Sequence, residues 1–228
     1  MDFVFLHLEC NAPNNVLAWA DSVLKKHSTR RAIITTHMGL GPREKPKEAK
    51  DYYDAPKERM QWKKCHGERG NTPQQMWDKC FRKHANLFMI CCGDQSRTQA
   101  LHQSVRGDHG NVVHEVLSDY GTNGMRIMRF IPKKNRIEVR TWNPISSQLC
   151  LKTSIVGQAK RHQFELEYIM SSAPKKTEDK KEAGQADSWN QFRGPNGSGV
   201  AMDSKPPVKI DSSKPTWKVP APIGHSSP

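Results

Sequence analysis

The sequence lacks any long apolar run, and its first residues lack the basic stretch that begins an export signal. No stretch of about 18 consecutive apolar residues occurs, so no transmembrane helix is predicted. Residues 1–7 contain Asp2 and no lysine or arginine, which is not typical of a secretory signal peptide. The apolar run that starts at Phe3 instead predicts a β-strand very close to the first residue.

The sequence also lacks the signatures of common nucleic-acid-binding folds. Its formal net charge is +13, and such a charge suits nucleic acid, an acidic membrane surface or anionic small substrates. Lysines and arginines between residues 45 and 64 are mixed with acidic residues, which favours a solvated surface of both signs. No RNP, zinc-finger, helix-turn-helix or aromatic-stacking pattern accompanies the charge. Nucleic-acid binding is therefore not supported beyond the net charge.

None of the six cysteines forms a Cys-x-x-Cys pair. Cys91 and Cys92 are adjacent in a predicted strand, where neighbouring side chains point to opposite faces, so we expect them not to share a site. An even count permits disulfides, but the spacing is not that of a dense secreted scaffold. The simplest interpretation is that most of these cysteines are small buried apolar residues.

Familiar catalytic motifs are absent as well. The sequence has no serine nucleophile elbow and no Walker A loop. His102, His109 and His114 fall in one stretch, but their spacing matches no common zinc motif, and residues 107–111 favour a turn. Hydrophobic residues make up 35% of the chain, which limits the core to a modest size within one or two domains.

The first half of the chain has the pattern of an α/β fold. We predict strands over residues 3–8, 32–36 and 87–92, and amphipathic helices over 14–26 and 73–84. Asn14 or Asn15 is suited to cap the first helix, and Thr72 the second. The β-α-β order predicts a parallel pair of strands with a right-handed crossover. Residues 39–71 are long and polar, which indicates a functional or a disordered loop.

The second half changes to a mostly antiparallel pattern. Short strands are predicted over residues 111–119, 125–131, 136–141 and 162–168, with Lys133-Lys134-Asn135 as a hairpin turn. Residues 171–187 lack apolar periodicity and are rich in charge, so we expect a disordered linker there.

Polar side chains follow two of the predicted parallel strands. His37 ends one strand, and the loop Gly93-Asp94-Gln95-Ser96-Arg97 follows another. Ligand groups in open α/β sheets lie just past the carboxyl ends of strands. His37 and Asp94 therefore suit a metal ion, and Arg97 and Gln95 suit a phosphate. The alternatives remain open: a structural histidine that contacts a loop, and an ordinary turn with an Asx hydrogen bond.

His66 lies in the long polar loop, which offers many hydrogen-bond donors to an anion. A mobile cover on the substrate side is one interpretation of this loop. A solvated insertion is the other. We include His66 among the candidate phosphate-binding residues.

These residues resemble part of a known family. Several stretches in chain order resemble the C-terminal half of a calcineurin-like metallophosphoesterase. They are Thr35-Thr36-His37-Met38, a helix, residues 87–93, Ser118-Asp119-Tyr120 and Arg126-Ile127-Met128-Arg129-Phe130. The resemblance covers residues 3–170 and implies a partial domain over residues 1–170. Its fold would be part of a β-sandwich flanked by helices.

The resemblance implies a metal-dependent phosphoesterase. Members of the family hold two divalent ions (Mn, Fe or Zn) and hydrolyse phosphomonoesters or phosphodiesters with a metal-activated water. Of five ligand blocks, the fourth corresponds to His37 and the fifth to the loop after Gly93, where Asp94 and Ser96 occupy the positions of two histidines. The first three blocks would precede Met1. We therefore expect a truncated form that is inactive alone, from a bacterial parent that is periplasmic or secreted.

Residues 188–228 resemble something else. The run Gln191-Phe192-Arg193-Gly194-Pro195-Asn196-Gly197, with Trp189 and Trp217 on either side, is similar to the start of a quinoprotein-type (PQQ-like) β-propeller. One blade cannot fold by itself, because propellers need several. The resemblance thus implies an incomplete propeller segment joined by the linker to the phosphoesterase part. The competing hypothesis for function is a catalytically degenerate remnant that binds an anionic ligand or a partner.

Overall fold

A computed structural model describes residues 1–95, 97–121 and 124–172. The chain divides into two units, Met1–Gln185 and Ala186–Pro228, and every described residue belongs to the first. Most of the predicted linker (171–187) and the whole propeller-like segment (188–228) lie outside the described residues, as does Ser96.

The described part is a mixed α/β structure with several sheets and few helices. Its strands are β1 (Phe3–Leu8), β2 (Arg31–Met38), β3 (Leu40–Pro42), β4 (Lys57–Arg59), β5 (Leu87–Gly93), β6 (Ala100–Arg106), β7 (Val112–Ser118), β8 (Met125–Ile131), β9 (Arg136–Asn143), β10 (Gln148–Leu149) and β11 (Phe164–Glu167). Its α-helices are α1 (Asn14–Lys26), α2 (Asp51–Asp54), α3 (Pro73–Lys79) and α4 (Ala159–His162). Short 3₁₀ turns occupy Gly67–Arg69, Phe81–Lys83 and Pro132–Lys134.

The largest sheet has five strands in the order β1-β2-β5-β7-β6. β1, β2, β5 and β7 are parallel neighbours, and β6 joins antiparallel to β7. The predicted parallel pairing of the first two strands is confirmed. Buried, β-branched runs such as Ala32-Ile33-Ile34 favour this central position, because both faces of a parallel sheet are covered.

A second, antiparallel sheet is built around β9. β9 pairs with β10, β11 and β8. The turn between β8 and β9 includes Asn135 at φ 52°, a left-handed conformation that asparagine tolerates. The predicted hairpin turn at residues 133–135 is thereby confirmed.

The core lies on both faces of the large sheet. One face packs against α1 and α3 through residues such as Ile34, Leu24 and Trp77. The other face packs against the antiparallel sheet, where Ile33 and Phe88 join the cluster that contains Val139. Neighbouring residues Ile33 and Ile34 thus serve opposite layers, as strand geometry requires. Cys91 and Cys92 also pack in different clusters, which confirms their predicted separation.

Helix α1 has its predicted bounds but not its predicted cap. It buries Leu17, Ala20 and Leu24, which lie three and four residues apart on one face. Pro13 occupies the N-cap position, and no side chain caps the helix. The prediction that Asn14 or Asn15 caps it is wrong. Asn14 Oδ1 instead accepts hydrogen bonds from Asn71 and Lys79, so its oxygen is already engaged.

Helix α3 begins as predicted and ends early. Thr72 and Gln75 form a reciprocal capping box, which confirms Thr72 as the cap. The predicted helix over 73–84 is too long, because Cys80 leaves helical geometry at φ −132° and a 3₁₀ turn follows. The predicted strand over 162–168 is shorter and spans Phe164–Glu167, because His162 belongs to the preceding helix α4.

Two further elements depart from the sequence-based predictions. The long segment 39–71 contains the β3–β4 hairpin and α2, so it is partly regular. β6 was not predicted, because most of its residues are half-buried or exposed and they form no strong apolar run. Among the described residues, no helix is both long and apolar enough to cross a membrane.

Candidate functional site

The candidate site lies at one edge of the large sheet. β1, β2 and β5 are parallel neighbours, so their carboxyl ends meet there. Glu9, Cys10 and Asn11 follow β1, His37 lies near the end of β2, and Asp94 follows β5. The topology therefore brings together polar residues that are far apart in the sequence.

His37 and Asp94 lie in direct contact. His37 Nε2 is 3.2 Å from Asp94 Oδ1. The pairing of β2 with β5 shifts between Thr35 and Met38, and such a bulge re-aims the side chains within it. Asp94 takes a left-handed backbone conformation at φ 57°, directly after the strand. The sequence placed both residues at this edge, and the structure brings them together.

A lysine joins this pair. Lys64 Nζ lies 2.5 Å from Asp94 Oδ1 and 3.5 Å from His37 Nε2. The hydrogen bond with Asp94 raises the pKa of Lys64, so its amino group is firmly protonated. The Asp94 side chain is 16% exposed, whereas that of His37 is 55% exposed. We call His37, Lys64 and Asp94 the strand-end cluster.

Asn11 fixes the loop that carries Lys64. Its side chain is fully buried, and its Oδ1 accepts hydrogen bonds from the backbone N–H of Lys64 at 2.7 Å and of Cys65 at 3.0 Å. Its Nδ2 donates to the carbonyl oxygen of Asn71 at 2.8 Å. Asn11 thereby joins both ends of an eight-residue stretch to the end of β1. Sequence reasoning missed Asn11 and Lys64, because neither belongs to a motif and only the fold brings them here.

The other predicted phosphate-binding residues have different partners. His66 Nε2 lies 2.8 Å from Glu9 Oε2. Gln95 is 5% exposed and packs toward Gly41. The Arg97 guanidinium lies 5.1 Å from the centre of the Tyr52 ring. The described contacts of these three residues do not include His37, and their role in phosphate binding stays a prediction.

Two cysteines lie next to the strand-end cluster. The thiol of Cys10 is hydrogen-bonded to Cys65, and its Sγ lies 3.4 Å from Asn11 Oδ1. Burial, followed by the contact with Cys65, raises the pKa of Cys10 to about 12. Cys10 is therefore a protonated thiol near neutral pH.

The strand-end cluster fits one metal ion incompletely. A nitrogen and a carboxylate oxygen 3.2 Å apart suit two ligands of the same ion. Within the described residues, no third His, Cys, Asp or Glu completes this pair to a group of three. The ammonium of Lys64 also lies where it opposes a bound cation. These residues offer one nitrogen and one carboxylate oxygen to an ion, which is fewer ligands than a site for two ions needs.

Comparisons with known proteins give one relative. The chain is similar to the uncharacterized protein YvnB of Bacillus subtilis (strain 168), with 22% identity over 153 residues, which is 63% of this chain and 10% of YvnB. The chain thus spans about a tenth of the length of the curated relative it matches. No protein-family model and no solved structure matches the chain.

Proposed function

We propose that this chain is the C-terminal part of a calcineurin-like metallophosphoesterase domain, and that the parent protein hydrolyses phosphate esters. The observation that carries the proposal is the 3.2 Å contact between His37 and Asp94 at the carboxyl ends of neighbouring parallel strands. Divalent ions in such a site activate water and stabilise the charge of the transferred phosphoryl group. The remaining ligands would come from a part of the parent outside this chain.

The layers of the described part support the finer fold within this proposal. Helices cover one face of the large sheet, and an antiparallel sheet covers the other. Two packed sheets flanked by helices are what a partial metallophosphoesterase sandwich requires. The similarity to YvnB supports a longer parent, since this chain matches 10% of that protein.

Turnover of an aryl phosphodiester with added manganese tests the proposal. We expect the purified chain to show at most slow hydrolysis, because it holds only two of the ligands. Any hydrolysis should fall at least tenfold in His37→Ala, about 1.4 kcal/mol in the barrier. The matched control is His109→Ala, which alters an exposed histidine on the β6–β7 turn. Hydrolysis that His37→Ala does not change would contradict the proposal.

A catalytically degenerate binding domain is the second candidate. The position of Lys64 favours it, because an ammonium 2.5 Å from Asp94 weakens the carboxylate as a metal ligand and attracts anions. This candidate predicts that inorganic phosphate binds the chain without manganese and that Lys64→Gln weakens this binding. Lys63→Gln is the matched control, because it removes the same charge from the neighbouring residue, whose ammonium contacts Glu68.

A further inference from the structure

A second group of potential ligands lies at the opposite end of β5 from the strand-end cluster. Asp21 lies in α1, Cys80 directly follows α3, and His84 precedes β5. One ligand atom from each residue lies within 4.8 Å of the others. His84 Nε2 is 3.1 Å from Asp21 Oδ1, and Cys80 Sγ is 3.9 Å from His84 Nε2. We call these three residues the interhelical cluster.

The interhelical cluster lies at the edge of the apolar core between the large sheet and the helices α1 and α3. Cys80 and His84 are 1% and 0% exposed. α1 and α3 pack on the same face of the large sheet, and the 3₁₀ turn after α3 brings Cys80 and His84 onto one side. Asp21 reaches them from α1 with 29% of its side chain exposed, and its other oxygen, Oδ2, lies 3.0 Å from Lys25 Nζ.

The side chain of His84 contacts the other two members of the interhelical cluster. Its Nδ1 is buried and has no hydrogen-bond partner. Its Nε2 faces both Asp21 and Cys80. The described contacts of His84 with Asp21 and Cys80 therefore run through Nε2 alone, and Nε2 is the atom that would bind a cation.

The distances suit tetrahedral zinc. Zinc binds nitrogen and oxygen at about 2.0–2.1 Å and thiolate sulfur at about 2.3 Å, which places N and O about 3.3 Å apart and N and S about 3.6 Å apart. The separations of 3.1 and 3.9 Å from His84 Nε2 to Asp21 Oδ1 and to Cys80 Sγ need adjustments of only a few tenths of an ångström, and the carboxylate oxygen and the sulfur lie within 4.8 Å of each other. A ligand set of one oxygen, one nitrogen and one sulfur favours zinc or cobalt over magnesium, calcium or manganese.

We propose that Asp21, Cys80 and His84 bind a zinc ion or a divalent ion of similar chemistry. Burial raises the pKa of the free Cys80 thiol to about 12, so the ion displaces the thiol proton to solvent as it binds. Asp21 Oδ1, the Cys80 thiolate and His84 Nε2 then each donate one bond, and water takes the fourth position. The ion joins α1 to the end of α3. The three ligands come together only in the folded chain, so the ion binds the folded state and stabilises it. This site is separate from the strand-end cluster and does not depend on the proposed hydrolase.

Cobalt spectroscopy of the full 228-residue chain tests the proposal. After treatment with a chelator, the chain is titrated with Co²⁺ and its absorption is recorded. We expect a thiolate-to-cobalt charge-transfer band in the near ultraviolet and the strong visible bands of a tetrahedral ion. Zinc should displace the cobalt and remove both features. Octahedral, oxygen-type spectra without the thiolate band would overturn the proposal.

Cysteine variants identify the thiolate. We expect Cys80→Ser to abolish the charge-transfer band, and Cys150→Ser, which alters another buried cysteine, to retain it. Cys10→Ser should also retain it, although Cys10 lies beside Cys65. A band that is lost in Cys10→Ser and kept in Cys80→Ser would overturn the assignment.

Asp21→Asn keeps the test decisive if Cys80→Ser fails to fold. Asp21 is partly exposed, so the substitution leaves the core unchanged, and far-ultraviolet circular dichroism of the metal-free chain checks the fold. We expect at least a tenfold loss of cobalt and zinc affinity in Asp21→Asn, and none in His109→Ala, which alters an exposed histidine outside both clusters. Equal affinity in Asp21→Asn and the natural chain would overturn the proposal.

Discussion

The two ends of β5 carry polar clusters of opposite character. The strand-end cluster is open to solvent, with 55% of the His37 side chain exposed, and it already contains the cation Lys64. The interhelical cluster is largely buried, with His84 fully enclosed, a thiol among its donors and Lys25 paired with the other oxygen of Asp21. The difference teaches that solvent exposure and donor type decide which ligand a polar cluster suits. A solvent-exposed cluster suits an anionic substrate, and a buried cluster that contains a thiol suits a firmly held metal ion.

The first way to break this comparison is to release the loop at the open end. Asn11→Ala leaves the part-buried backbone N–H groups of Lys64 and Cys65 without their acceptor. We expect a loss of about 2 kcal/mol in the free energy of unfolding, because two hydrogen bonds are lost and each contributes about 1 kcal/mol. Urea denaturation measures it, with Asn15→Ala, an exposed neighbour, as the control. A loss below about 0.5 kcal/mol would contradict the role given to Asn11.

The second prediction concerns the buried end without metal. Asp21→Asn removes the carboxylate that faces His84, whose hydrogen bond is the main reason that the pKa of Asp21 falls to about 2. We expect a loss of about 1–2 kcal/mol at pH 7, the range for a hydrogen bond to a charged group that is partly exposed. Thermal or urea unfolding measures the loss, and Asp2→Asn, on an exposed residue, is the control. Equal losses in the two variants would refute a contribution from this pair.

The third prediction uses pH to test the interface between the two sheets. Burial lowers the pKa of His114 below its ordinary value of 6.5. Below pH 6.5 the unfolded chain takes up a proton that folded His114 does not, so stability falls as the pH falls. We expect His114→Gln to reduce this slope by at most about 1.4 kcal/mol per pH unit. Urea unfolding from pH 7 to 5 measures the slope.

The pH prediction has a matched control in His109→Gln. His109 is exposed on the β6–β7 turn, whereas His114 is 4% exposed and lies 2.8 Å from Ser104 Oγ and 2.9 Å from the carbonyl oxygen of Glu167. His109→Gln should leave the slope unchanged. A slope that responds to His109→Gln and not to His114→Gln would contradict the assignment.

The smallest effect on stability is expected at the open end. Lys64→Gln removes an ion pair whose lysine is 48% exposed, so the free energy of unfolding should change by less than about 0.5 kcal/mol. Manganese affinity should nevertheless rise several-fold, because the substitution removes a positive charge beside Asp94. Lys63→Gln serves as the control, and isothermal titration calorimetry measures the affinity. An unchanged or weaker affinity in Lys64→Gln would show that Lys64 does not oppose a metal ion.

The sequence predicted the parts of the fold that depend on local pattern. The parallel pair β1–β2, helix α1 and the Thr72 cap follow from apolar periodicity and capping chemistry, and all three are present. β6 escaped prediction because its stability comes from pairing with β7 and not from its own apolar residues. The early end of α3 was not predicted either, and the turn that follows places Cys80 beside His84 and His84 in contact with Asp21 of α1.

The candidate site divides in the same way. His37 and Asp94 were predictable, because each lies at the end of an apolar strand and parallel strands end together. Lys64 and Asn11 were not predictable, because they lie far apart in the sequence. Only the hydrogen bond from the Lys64 backbone N–H to the buried Asn11 side chain places Lys64 beside Asp94. The interhelical cluster was also missed, since its donors come from α1 and from the turn after α3 and form no sequence motif.

Manganese binding to the purified chain tests the central claim most directly. Electron paramagnetic resonance counts free Mn²⁺ as the chain is titrated, for the natural sequence, His37→Ala and the control His109→Ala. We predict that the natural chain and His109→Ala bind one ion with equal affinity, and that His37→Ala loses at least tenfold in affinity. Equal binding by all three proteins would contradict the claim that His37 and Asp94 form part of a metal site.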